Sequence, residues 1–261
     1  MRSTSGAAGR RPNRREFAGL IGGLLASFGL GAACQAGQSQ RQGNGRLKAR
    51  PRRRDAPPRA SSGPLGLGAD RDGVLHVPPR LPEGPAPLLV LLHGAGGSGA
   101  GILRRVQSFA DDAGVVVLAP DSRGGTWDAI RQGFGPDVAF IDRALARVFE
   151  TMAVDPARVA VGGFSDGATY AISLGLLNGD LFPRVLAWSP GFFVSGAVQG
   201  TPRFFISHGT ADEILPIDRC SRVIVPALQK RGYDVAFRPF DGGHTIPPDI
   251  ALEGMEWVAG R

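Results

Sequence analysis

From about Leu65 onward the chain alternates between short unbroken apolar runs and longer stretches in which apolar residues recur every three or four positions. The short runs read as strands buried on both faces, and the periodic stretches as helices with one buried side. Strands are placed near 73–77, 88–92, 115–119, 158–162, 184–188, 203–207 and 234–239, and helices near 100–113, 137–151, 167–177, 217–231 and 248–259. This alternation predicts an α/β fold, a mostly parallel sheet of about seven strands with helices on both faces. Between the 184–188 and 203–207 strands only Ser189 to Pro202 remain. That is too little for a helical cap, so no large lid is expected and the cleft should be open.

Before Leu65 the pattern is of another kind. The chain of 261 residues carries a net charge of +7, yet residues 1–62 hold 13 Arg or Lys against Glu16 and Asp55, which leaves 17 basic and 21 acidic residues beyond. The basic character belongs to this leader, and no nucleic-acid partner is expected for the domain. A charged region ends in Asn13-Arg14-Arg15-Glu16-Phe17, and Ala18 to Ala33 follow without a charge. It resembles a twin-arginine export signal. The uncharged run falls short of the ~20 residues a membrane-spanning helix needs, so cleavage is favoured over anchoring. Leu30-Gly31-Ala32-Ala33-Cys34 also resembles a bacterial lipobox, with Gly31 where Leu is usual, so lipidation of Cys34 with membrane attachment and plain cleavage nearby both stay open.

Residues 35–62, rich in Gln, Arg, Gly, Pro and Ser, read as a disordered tether. The expected organisation is thus an export signal over 1–34, the tether over 35–62 and one domain over 63–261, in an exported, periplasmic or extracytoplasmic protein. Cys34 and Cys220 are the two cysteines, so the domain has no internal disulfide and Cys220 reads as a small buried apolar residue.

The candidate chemistry centres on Gly163-Phe164-Ser165-Asp166-Gly167, which follows the apolar run Arg158 to Gly162 and opens a helix-like stretch. A G-x-S-x-G sequence between strand and helix reads as a nucleophile elbow, with the serine hydroxyl raised above the sheet edge. A serine nucleophile needs a base, a group to orient it, and donors for the oxyanion. Asp212 follows the 203–207 strand and His244 follows the last one. At the carboxyl ends of parallel strands these loops can converge. Glu213 and Asp241 are the rival acids. His76, His93 and His208 read as structural, the last two bracing turns at strand ends, and no spacing indicates a metal site.

With these segments in hand, the chain resembles the α/β-hydrolase superfamily, and within it the phospholipase/carboxylesterase and polyhydroxybutyrate-depolymerase-like serine esterases. The matching pieces are Leu91-Leu92-His93-Gly94-Ala95-Gly96-Gly97, the elbow, His208-Gly209-Thr210-Ala211-Asp212 and Gly243-His244, spanning roughly residues 72–250. Asp166 stands where the carboxylesterase branch commonly has Gln, which leaves the subfamily open. The resemblance implies a serine carboxylic-ester hydrolase with Ser165 as nucleophile, His244 as base and Asp212 as acid, and needing no cofactor. Its oxyanion donors would be the N–H of Asp166 and that of Ala95 or, as second choice, Gly96. Candidate substrate-wall residues are Trp127, Ile214 and Leu215, with Trp188, Phe192 and Phe193 as further aromatics. The expected partner is a small-molecule or polymer ester. Thioesterase, feruloyl or acetyl-xylan esterase and peptidase activities share this machinery, and a non-catalytic envelope-binding protein or an anion-binding Arg-rich tether are the readings from other classes.

Overall fold

The computed structural model describes residues 43–51, 60–68, 70–131, 133–194 and 196–261. The export-signal and Cys34 readings lie outside them. Eight strands, β1 (Gly63–Pro64), β2 (Gly73–His76), β3 (Ala86–Leu92), β4 (Val116–Pro120), β5 (Val154–Phe164), β6 (Arg184–Trp188), β7 (Arg203–Gly209) and β8 (Val235–Phe240), form one sheet in the order β1-β2-β4-β3-β5-β6-β7-β8. β1 and β2 run antiparallel to their neighbours, and all other pairs are parallel. The strand beyond the seven expected is β1, two residues with no apolar run to announce it.

Helices α1 (Gly99–Ala113), α2 (Asp128–Arg131), α3 (Pro136–Thr151), α4 (Asp166–Leu177), α5 (Ser221–Lys230) and α6 (Pro248–Ala259) complete the described elements. Every residue of β3 is buried, because alternate side chains of a central parallel strand serve two cores. Leu88, Val90 and Leu92 join the core built with α3, α4 and α5, whereas Leu89 and Leu91 join the one built with α1 and α6. α1 starts where the Ser98 side chain accepts the Gly101 N–H, and it stops at Gly114 in the left-handed conformation. No helix lies among the described residues of 189–202, in agreement with the expected lack of a large lid.

One expectation is corrected. Residues 43–51, read as part of a disordered tether, are packed on the domain. Leu47 is 2% exposed within the α3/α4 core. Its N–H donates to Asn178 Oδ1 at 2.8 Å, and Asn178 Nδ2 donates back to the Gly45 carbonyl at 2.8 Å. Asp142 Oδ1 accepts the N–H groups of Lys48 and Ala49, and Asp180 pairs with both Arg46 and Arg50. The composition of the stretch is that of a solvated linker. One leucine and a set of backbone groups nevertheless suffice, because the domain presents buried or carboxylate acceptors at the right places.

Candidate active site

β5 runs straight into the elbow, where Ser165 adopts φ 57° and ψ −120°, a left-handed backbone that a non-glycine residue holds only under constraint. The constraint is close packing of the motif glycines. A Cβ on Gly167 would lie 2.1 Å from the Leu92 carbonyl oxygen, and one on Gly163 would lie 2.5 Å from the Gly167 carbonyl carbon. Glycine at both positions therefore lets α4 press against β3, which leaves the serine as the exposed corner. Ser165 caps α4, so the unpaired first-turn N–H groups and the positive end of the helix dipole lie at the hydroxyl.

The loops after β7 and β8 bring the other two residues in. His244 Nε2 lies 2.9 Å from Ser165 Oγ, and His244 Nδ1 lies 2.6 Å from Asp212 Oδ2. A carboxylate only accepts, so Nδ1 carries the proton and Nε2 is left to accept from the serine hydroxyl. Asp212 is 4% exposed, and its Oδ1 accepts the N–H groups of Ile214 at 2.9 Å and Leu215 at 2.8 Å. Burial by itself raises the pKa of this carboxyl. The Leu215 N–H, the His244 imidazole and the Ile214 N–H together outweigh it and hold the group below its ordinary value. Of the rival acids, Glu213 is exposed and Asp241 accepts from Thr210 Oγ1.

The loop after β3 carries the prospective oxyanion donors. The Gly96 N–H donates to the Gly125 carbonyl at 2.7 Å and is unavailable, which removes Gly96 from the pair. The Ala95 and Asp166 N–H groups have no acceptor among the described residues. His93 braces this turn as expected. Its Nδ1–H donates to the Gly94 carbonyl at 2.7 Å and its Nε2 accepts the Ser122 N–H at 3.0 Å, while burial pushes its pKa down and keeps the ring neutral.

Trp127, expected as a cleft wall, lines the cavity beside Asp137 rather than the space at Ser165. It is fully buried behind the turn, its indole N–H donated to the His93 carbonyl at 2.8 Å and its ring stacked on Tyr170. It sits there because an indole offers both apolar area and one donor, and the His93 carbonyl needs one. Leu215 is half-buried near Gly191 and Thr169, and Ile214 is 70% exposed beside it. Phe192 is also exposed, whereas Trp188 belongs to the α1/α6 core.

The long loop after β4 holds residues that sequence reasoning passed over. Thr126 Oγ1 donates to Asp166 Oδ2 at 2.5 Å and so ties that loop to the elbow. Asp128 and Asp137 bond each other's backbone: Asp137 Oδ2 accepts the Asp128 N–H at 2.7 Å, and Asp128 Oδ2 accepts the Asp137 N–H at 2.8 Å. Burial, reinforced by the nearby Asp128 charge, raises the Asp137 pKa to about 6 against the bonds that stabilise its anion. Around them Arg123, Gly124, Thr126, Phe134 and Asp137 line a cavity of about 810 Å³. Neither Ser165 nor His244 lines it. Nothing in the sequence marked these carboxylates except position, since Asp137 falls on a helix read as merely core-facing.

No protein-family model matches the chain. Among curated proteins, it is 30% identical over 186 residues to the Nocardia uniformis subsp. tsuyamanensis protein named "Putative esterase NocK", covering 68% of this chain and 48% of that protein. The chain spans about half the length of the curated relatives it matches. Among solved structures, esterase PE8 superposes with a TM-score of 0.58 at 21% identity, covering 74% of this chain and 99% of PE8. The S-formylglutathione hydrolase FrmB of Staphylococcus aureus superposes with a TM-score of 0.62 at 15% identity, covering 76% of this chain and 96% of FrmB.

Proposed function

From the α/β-hydrolase fold of this chain, we propose that it is a serine hydrolase that cleaves carboxylic esters through an acyl-enzyme intermediate. The observation that carries this reading is the hydrogen-bonded series Ser165 Oγ, His244, Asp212, with links of 2.9 and 2.6 Å. Ser165 Oγ adds to the ester carbonyl carbon while its proton passes to His244 Nε2. The carbonyl electron pair moves onto oxygen, which takes the N–H groups of Ala95 and Asp166. Collapse of this adduct breaks the bond to the alcohol oxygen, and the alcohol leaves with the proton from His244. Water then attacks the acyl-serine by the same steps and frees the acid.

Asp212 keeps the imidazole in the tautomer that accepts from serine and stabilises the imidazolium that forms. Each oxyanion donor is worth about 10²–10³ in turnover, because it points at charge that develops only in the transition state. The half-buried Leu215 and the exposed Ile214 and Phe192 near the site favour an acyl group or polymer end that enters from the side of the acid loop.

Labelling with a fluorophosphonate probe and turnover of a chromogenic short-chain ester test the reading together. Ser165→Ala is expected to abolish both in a folded protein; label on another residue, or retained turnover, refutes it. A thioester is the second reading, favoured by the S-formylglutathione hydrolase likeness. Matched oxygen and sulfur esters separate the two. Export belongs to the same proposal and rests on Arg14, Arg15 and the uncharged run through Ala33, with lipid attachment at Cys34 and plain cleavage nearby as its two alternatives. Replacing both arginines by Lys is expected to block translocation, and unchanged export would exclude the twin-arginine route.

A further inference from the structure

The acid of the site is held by a second histidine. His208 lies next to the end of β7 and is fully buried. Its Nε2 is 2.7 Å from the Leu215 carbonyl and its Nδ1 is 2.7 Å from Ser221 Oγ. A carbonyl oxygen only accepts, so the proton is on Nε2, and Nδ1 takes the Ser221 hydroxyl. The same Nε2 lies 3.3 Å from Asp212 Oδ2, the oxygen that receives His244, a close approach beside the bond to Leu215.

Leu215 is thereby held at both ends. Its N–H goes to Asp212 Oδ1 and its carbonyl takes the His208 proton. The acid, the turn it caps and the imidazole behind it are joined in series by these bonds and anchored to the start of α5 through Ser221. Burial pushes the His208 pKa down, so the ring is a neutral donor and brings no charge to compete with His244 for the carboxylate.

We propose that His208 is a positioning residue for the triad acid: its Nε2–H fixes the Leu215 carbonyl, and with it the turn whose N–H groups hold Asp212 Oδ1, which keeps Oδ2 aimed at His244. The inference rests on the serine-hydrolase reading. A role in the chemical step follows from what is being aimed. Misdirecting Asp212 by a fraction of an ångström leaves substrate binding alone but releases His244 from its tautomer and orientation. A histidine retained only as core filler has no such consequence.

The test compares His208→Leu, which keeps bulk and loses the donor, with His208→Gln, whose amide N–H reaches about as far as Nε2. In the full chain, His208→Leu is expected to lower kcat about 10- to 100-fold with KM within about twofold, and His208→Gln to restore kcat to within about fivefold of the parent. The far-downfield proton resonance of the His244 Nδ1–H is expected to move or broaden in the Leu variant and to remain in the Gln variant. Ser221→Ala, which removes the Nδ1 partner and loosens the ring while the Leu215 carbonyl still fixes its tautomer, serves if the Leu variant does not fold. It is expected to lower kcat about 3- to 10-fold, again at unchanged KM. Equal kcat losses in the Leu and Gln variants that follow their loss of melting temperature overturn the inference. So does parental kcat in His208→Leu, or in Ser221→Ala where that variant stands in. Turnover that survives Ser165→Ala overturns the underlying reading, and the inference with it, so the two failures are distinct.

Discussion

Leu47→Ala tests whether residues 43–51 belong to the folded unit. The side chain is 2% exposed and packs into the α3/α4 core, so the substitution removes about three buried carbons, worth ~2.5 kcal/mol at about 0.8 kcal/mol each. A persisting cavity brings the cost to about 3–5 kcal/mol, the range of core leucine truncations. For a domain of this size each kcal/mol moves the melting temperature by about 2–4 °C, so a drop of roughly 6–20 °C is expected by thermal unfolding. The polar half of the anchor is tested by Asn178→Ala. It strands the Leu47 N–H and the Gly45 carbonyl, at about 1–3 kcal/mol for each group that stays dry. Because both changes release the same segment, the double variant is expected to cost less than the two single losses added together. A chain beginning at Gly63 should match the double variant. If Leu47→Ala melts within about 1 °C of the parent, the segment contributes nothing and the tether reading returns.

Four further outcomes follow from the site. Gly167→Ala places a Cβ 2.1 Å from the Leu92 oxygen, so α4 must withdraw from β3 and carry Ser165 with it; kcat should fall by at least about 10²-fold with a smaller change in KM. Asp212→Asn is expected to lower kcat by about 10³–10⁴-fold, because the amide no longer fixes the His244 tautomer, and burst kinetics with a chromogenic ester will read it. The raised Asp137 pKa means that the folded state binds this proton more tightly than the unfolded chain does. Its contribution to stability is complete below about pH 4 and lost as pH rises through about 6, worth about 3 kcal/mol in all, and melting curves of the parent and Asp137→Asn between those limits will reveal it. Asp180 runs the opposite way. Its bond to Arg46, then that to Arg50, lower its pKa to about 2, so its contribution is present above about pH 4 and disappears as pH falls through 2, which Asp180→Asn should flatten.

Much of the fold was legible because buried parallel strands and amphipathic helices leave different periods in a chain. The seven expected strands all appear. β1 does not announce itself, because two residues carry no period. That Ser165, Asp212 and His244 come together was legible for a related reason: the elbow imposes steric demands that only glycine meets at 163 and 167, and Asp212 and His244 each follow a strand end within a few residues. Ala95 and Gly96 were not separable from sequence. Which of two adjacent N–H groups is free depends on Gly125, about thirty residues away, and only the folded loop puts that carbonyl against Gly96. The loop position of Trp127 likewise says nothing about where the indole finds its acceptor; the folded loop gives it the His93 carbonyl and sets the residue against the cavity beside Asp137.

Asn178, Asp128 and Asp137 make the point general. Each is a polar residue whose side chain satisfies backbone groups, Asn178 those of a segment over a hundred residues away and Asp128 and Asp137 those of their own connection after β4. Such residues obey no period and form no motif, because the backbone groups they serve are left unpaired only by the folded course of a loop. They nevertheless determine where the oxyanion loop lies: Asp137 and Asp128 hold the segment from Arg123 to Gly135, and that segment holds Gly96 through Gly125 and the Asp166 side chain through Thr126. The residues that carry the proposed chemistry therefore sit in motifs visible in the sequence, whereas the residues that set its geometry form none. A substitution at Asp128 should accordingly alter turnover without touching the triad, through the placement of the Ala95 and Asp166 N–H groups.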